Sequence, residues 1–150
     1  MMTMAELRRQ LSDIEPDEST YANIGPDDVP NLEALLHDEE AWMAARAVFA
    51  LARIDTPEAR TALIQAGASP REEVRVATAS AAQLLPPVSS DIVLERLLDD
   101  PDVGVRKFAI QSVSERNSAP VRARLHEMAT AESDPALRAL AGEQASTLEP

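Results

Sequence analysis

The sequence predicts an all-α solenoid, a right-handed α-α superhelix of about four two-helix repeats behind an N-terminal capping helix. Three observations predict it. Strong helix formers far outnumber β-branched runs, and the aromatic residues are only Tyr21, Trp42, Phe49 and Phe108. A self-similar segment begins at positions 38, 69, 100 and 132, a spacing of 31, 31 and 32 residues. Within each copy the apolar residues fall on one narrow helical face whose side chains are mostly small, so no helix can bury that face without a neighbour.

The four segments align without gaps: Asp38-Glu39-Glu40-Ala41-Trp42-Met43-Ala44, Ser69-Pro70-Arg71-Glu72-Glu73-Val74-Arg75, Asp100-Pro101-Asp102-Val103-Gly104-Val105-Arg106 and Glu132-Ser133-Asp134-Pro135-Ala136-Leu137-Arg138. Each opens the second (B) helix of a repeat. Met43, Val74, Val105 and Leu137 lead the stripe. Ala47, Thr78, Ala109 and Ala141 follow four positions later, Ala50, Ala81, Ser112 and Gln144 seven later, and Leu51, Ala82, Val113 and Ala145 eight later. This is the i, i+4, i+7, i+8 face of a helix. Small residues at i+4 and i+7 let adjacent helices approach closely.

The first (A) helices carry their own start signals. Asn31 to Leu36 follows Pro30, and Thr56-Pro57 supplies an N-cap with proline at the first helical position of a helix ending near Gly67. Ser90 is expected to cap Asp91 to Leu98, and Ser118 to precede a helix from Pro120 to Met128. Met4, Leu7, Leu11 and Ile14 mark an amphipathic cap helix ahead of the repeats. The chain therefore reads as one domain over residues 1–150, with 1–27 as cap and acidic arm and 28–148 as repeats.

The helix-turn-helix recurrence, with its Asp-Pro turn and Val-Arg opening the second helix, resembles the HEAT-repeat family, most closely the short bacterial repeats. The match is fullest at Leu97-Leu98-Asp99-Asp100-Pro101-Asp102-Val103-Gly104-Val105-Arg106 and weakest in repeat one. The resemblance implies a ladder in which the B-helix arginine reaches the turn acid of a neighbouring repeat. Arg75, Arg106 and Arg138 hold the arginine position and Asp100 a turn-acid position. Ala44 and Ser69 break the pattern, so the ladder is expected to be incomplete.

Composition excludes much chemistry. With no cysteine there is no disulfide, thiolate metal site or thiol nucleophile. Gly25, Gly67, Gly104 and Gly142 are too scattered for a phosphate-cradling loop. Net charge is −12, and residues 1–40 hold eleven acids against Arg8 and Arg9. Phosphate-backbone binding needs clustered cations, so nucleic acid is disfavoured as a partner. No apolar run approaches the length of a membrane span, which points to a cytoplasmic protein.

Two HEAT-type enzymes offer comparisons. Deoxyhypusine hydroxylases are known by recurring His-Glu pairs that hold two irons, whereas His126-Glu127 is the only such pair here and His37-Asp38 sits elsewhere in its repeat. The phycobilin lyase group uses similar repeats to grip a chromophore, but no chromophore-specific residue can be matched. No cofactor or metal is implied.

One feature exceeds what the repeat requires. Trp42, Arg46, Phe49 and Arg53 fall on a single strip of the repeat-one B helix, and Trp and Arg are enriched at interface hot spots. The strip is either a partner-binding surface or the bed for the N-terminal cap and its acids. These observations predict a non-catalytic, monomeric adaptor or scaffold that binds another protein. The alternatives are a small-molecule-binding or lyase- or hydroxylase-type HEAT enzyme and a nucleic-acid binder.

Overall fold

Every B helix is preceded by the same local hydrogen bond. The side chain of residue 38, 69, 100 or 132 accepts the backbone N–H two residues on: Glu40 to Asp38 at 3.0 Å, Arg71 to Ser69 at 3.2 Å, Asp102 to Asp100 at 2.9 Å and Asp134 to Glu132 at 3.3 Å. This turn reverses the chain between the helices of a pair. In repeats three and four a second carboxylate then caps the helix, Asp102 accepting from Val105 N and Asp134 from Leu137 N, both at 3.0 Å.

In the computed structural model, which describes residues 1–13, 16–54 and 56–148, these signals yield nine α-helices and no strand among the described residues. After the cap helix α1 (Met4–Gln10) come four pairs: α2 (Val29–Leu35) with α3 (Ala41–Ala52), α4 (Pro57–Ala66) with α5 (Glu72–Ala81), α6 (Pro87–Leu97) with α7 (Val103–Ser112), and α8 (Ala119–Ala131) with α9 (Pro135–Thr147). The B helices α3, α5, α7 and α9 stack in sequence order and lie closer together than the A helices α2, α4, α6 and α8.

That closeness follows from side-chain size. Every residue of the B-helix stripe is buried except Gln144. Where α7 meets α5 the approach is close enough for the Ser112 hydroxyl to donate to the backbone oxygen of Ala79 at 2.7 Å. Larger residues, among them Leu32, Leu63, Leu94, Leu97, Leu98, Leu125 and Met128, fill the space towards the A layer. Each contributes roughly 1.5–3 kcal/mol by leaving water.

The helix starts differ from expectation at α2, which begins at Val29 with Pro30 inside its first turn rather than at Asn31, and at α6. α6 begins at Pro87, so Ser90 is not a cap but an interior residue, buried and accepting from Asn117 Nδ2 at 3.1 Å. The fixed φ of Pro87 suits the first helical turn and starts the helix before the serines. Ser118 does stand at the N-cap of α8, yet its hydroxyl makes no capping bond. Instead its backbone N–H donates to Asp91 Oδ1 at 3.0 Å, tying the start of α8 to α6.

The arginines join the repeats. Arg75 donates through Nε and Nη2 to Asp100 Oδ2 and Oδ1 at 2.9 and 3.3 Å, and Arg106 does the same to Glu132 Oε2 and Oε1 at 3.2 and 2.8 Å. Each also donates to its own turn, Arg75 to Ser69 O at 2.9 Å and Arg106 to Asp100 O at 3.0 Å. Arg138, with no repeat beyond it among the described residues, donates to Glu132 O at 3.0 Å.

Between repeats one and two both partners of the rung are missing, at Ala44 and Ser69. The gap is filled from an unexpected position. Arg71, which occupies the N-cap site that Asp102 and Asp134 hold in later repeats, reaches back to Asp38 O at 2.7 Å and Leu36 O at 2.9 Å. A guanidinium thus serves the repeat-one turn, and α5 does without a side-chain cap.

At the open end α1 takes the place of a preceding B helix. Arg8 pairs with Asp38, the turn acid of repeat one, just as Arg75 and Arg106 pair with theirs. Leu7 and Leu11 are fully buried, while Ile14 lies outside the described residues. Buried Asp28 anchors this end by accepting from Met2 N at 2.6 Å and Gly25 N at 2.9 Å.

Candidate functional site

Helix α3 places Trp42, Arg46, Phe49 and Arg53 along one strip, and the chain ahead of repeat one lies over most of it. Arg46 Nη1 donates to Leu11 O at 2.7 Å and Asp13 O at 2.5 Å, completing the carbonyl end of α1. Arg53 grips Glu18 through Nε and Nη2 at 3.0 and 2.6 Å, donates to Phe49 O at 2.8 Å, and stacks 4.0 Å from the Tyr21 ring centroid. Phe49 packs against the core. Only Trp42 stays substantially exposed, at 45%, with Arg46 5.7 Å from its ring centroid and its indole N–H directed to Glu40.

The strip is therefore not a free four-residue binding surface. Arg46 is engaged by Leu11 and Asp13 and Arg53 by Glu18 and Tyr21, while Phe49 packs against the core; an end helix with no preceding repeat among the described residues needs cover, and the acidic arm supplies both chain and charge. Between the arm and α3 a hollow of about 330 Å³ remains, bordered by Pro16, Glu18, Tyr21, Arg46, Phe49 and Arg53.

The charges of the arm give it a pH dependence of definite sign. The hydrogen bond from Arg53 holds the Glu18 carboxyl below the usual range, and the bond from Arg8 does the same for Asp38, with burial opposing in both cases. Groups with depressed folded values contribute in full above their ordinary values, here 4.5 and 3.8, and that contribution is lost as pH falls through the lower folded values. Acidification below pH 4 is expected to loosen the arm while the repeats stay helical. Tyr21 and Trp42 fluorescence should move before the far-ultraviolet dichroism does, and the early phase should vanish in Arg53→Ala. One coincident transition in the native chain would contradict this.

The histidines are brought to no common site. His37 and His126 are exposed, on repeats one and four. Among the described residues no group of three or more His, Asp or Glu side chains is placed to hold a metal ion.

A second hollow, which the sequence reading did not single out, lies where the carboxyl ends of α3 and α5 meet the loop after α7. This groove of about 440 Å³ is lined by Arg53, Ile54, Arg60, Leu84, Pro86 and Arg116, with Ala52 and Leu85. Arg116 Nη2 donates to Gln83 O and Leu85 O, both at 3.1 Å, which fixes its guanidinium at the wall and satisfies the end of α5. The available sequence signal was weak: Leu84, Val88 and Ile92 are apolar but serve no expected core face.

Comparison with known proteins places this geometry. No family profile matches the chain, and no curated protein is a recognisable relative. Among solved structures, the complex of CpcE and CpcF of phycocyanin lyase from Nostoc sp. PCC7120 contains a chain that matches with a TM-score of 0.69. The match covers 94% of this chain and 96% of that one at 21% identity. It corrects one expectation, that the chain is not an enzyme. The same fold occurs in a chain of a phycocyanin lyase complex, so the absence of a local catalytic motif does not establish a non-enzyme. No described helix is long and apolar enough to cross a membrane. The chain has the HEAT-like helical repeat fold, shared over nearly its whole length with a subunit of a lyase complex.

Proposed function

We propose that this chain is a lyase-type HEAT subunit that acts in complex with a second protein subunit. The observation that carries this reading is the end-to-end correspondence with one chain of a two-protein phycocyanin lyase complex. The architecture supports it in two ways. Arginine rungs to the buried turn acids Asp100 and Glu132 tie repeats two, three and four into one stack, which suits presenting a continuous surface to a substrate or partner. The exposed Trp42, at the end of the stack, and the arginine-lined groove offer contacts to a second subunit.

The substrate class under this reading is a chromophore-bearing protein of the phycocyanin kind, and the assembly works in the cytoplasm. The test is purification of the tagged chain from its host followed by incubation of the recovered complex with phycocyanin. A second HEAT-type protein in stoichiometric amount is expected, together with a change in the visible absorption of phycocyanin that the isolated chain does not produce. Recovery of the chain alone, or an unaltered spectrum with the complex, overturns the proposal.

A further inference from the structure

We propose that the recess between repeats one and two, at the edge of the stack where a turn joins the helices of each pair, binds a small aromatic amine. The site does not rest on the lyase-type reading, since neither a second subunit nor a chromophore enters the argument.

The recess owes its existence to the missing rung. At the two later junctions the corresponding edge has a charged floor, Arg75 with Asp100 in one and Arg106 with Glu132 in the other. Between repeats one and two Ala44 stands where the arginine would be and Ser69 where the acid would be. Two such short side chains cannot bridge the junction, and the gap stays open down to the packed helices. A hollow of about 280 Å³ lies there between α2 and α4, under the turn that leads into α5, with Leu36, Ala62, Ala66 and Val74 among its lining. Ala62, Ala66 and Val74 are buried, so the floor is the apolar core itself. An apolar cavity of about 150 Å³ takes a benzene ring, and this one has room for a ring and a short arm.

The second observation is that polarity is confined to the rim. Glu33, His37 and Gln65 stand exposed around the mouth. All three offer hydrogen-bond acceptors, and Glu33 adds a negative charge. The surrounding chain is acidic too, with eleven acids against Arg8 and Arg9 over residues 1–40. The cations beside the turn are already committed, Arg8 to the Asp38 carboxylate and Arg71 to the carbonyl oxygens of Leu36 and Asp38. A cation at the mouth is therefore favoured over an anion.

An apolar floor below a few convergent acceptors selects a ligand with the same division. The class that meets both is a primary ammonium one or two carbons from an aromatic ring. Its ring enters the space the rung would have filled, and its ammonium stays at the rim beside Glu33.

The probe is phenethylamine, titrated by calorimetry into the full-length chain beside phenylacetate and benzyl alcohol as anionic and neutral counterparts. The amine is expected to bind with a dissociation constant of about 1 mM or tighter, the alcohol more weakly and the acid not measurably. Nuclear magnetic resonance locates the site. The chain has two histidines, and the ring current of a bound aromatic should move the imidazole signals of His37 while those of His126, on repeat four, stay fixed. Ala66→Leu fills the hollow and should weaken amine and alcohol about tenfold or more, whereas Glu33→Gln should weaken the amine about two- to fivefold and leave the alcohol unchanged. Circular dichroism checks both variants, and the His37 signals locate the site in the native chain even if Ala66→Leu fails to fold. The proposal is overturned if the amine does not bind, if the His37 signals do not move, or if phenylacetate binds equally well. Native affinity for the amine in Glu33→Gln, or in a folded Ala66→Leu, overturns it as well. Each of these outcomes leaves the lyase-type reading standing, because that reading is tested on the recovered complex with phycocyanin.

Discussion

Replacement of Arg106 by alanine is expected to destabilise the protein by about 3–5 kcal/mol, the range for removing one partner of a buried ion pair. The side chains of Arg106 and Glu132 are only 15% and 6% exposed. Alanine would leave the Glu132 carboxylate buried with no countercharge, and would also strip a donor from Asp100 O and Pro101 O. Arg106→Lys should recover only part of the loss, since an ammonium cannot span both carboxylate oxygens as the guanidinium fork does. Urea denaturation measures both. The exposed pair Arg124–Asp99, 36% and 58% accessible, is the internal control and should change stability by about 1 kcal/mol or less when broken. Equal losses at the two sites would show that the rung adds nothing beyond a surface pair.

Enlarging Ala109 to leucine is expected to cost at least about 1–3 kcal/mol, the usual penalty for overpacking a filled site. It should also divide the unfolding transition. Ala109 is fully buried on α7, the B helix stacked between α5 and α9. A larger side chain there must push a neighbouring helix outward, and in a stack each repeat is stabilised by its neighbours, so the damage falls on the contacts that couple the two halves. Thermal denaturation followed by dichroism should change from one transition to two, with repeats one and two melting apart from repeat four. A single unshifted transition would mean that the close B-helix spacing is not required.

The repeat architecture was legible because it is written in local, periodic terms. Positions 38, 69, 100 and 132 carry the same turn chemistry, and the residues at the next five positions build the same helix start. The arginine strip was legible as a strip, but both of its readings satisfied the same spacing. The choice turned on where Leu11, Asp13 and Glu18 lie, positions that Arg46 and Arg53 reach across 33 to 35 residues of sequence.

Other features were out of reach for similar reasons. Arg71 sits in a cap position of its own helix, and nothing nearby reveals that its guanidinium completes the previous turn in place of Ala44. Ser90 satisfies every local rule for a cap, yet Pro87 starts the helix one turn earlier and Asn117 claims the hydroxyl. The groove is lined by residues from four separate segments, each unremarkable alone. Hydrophobic period, caps and turns act over a few residues and can be read along the chain. Which long side chain bridges which gap depends on distances set by the packed stack, and those exist only after the repeats have closed on one another.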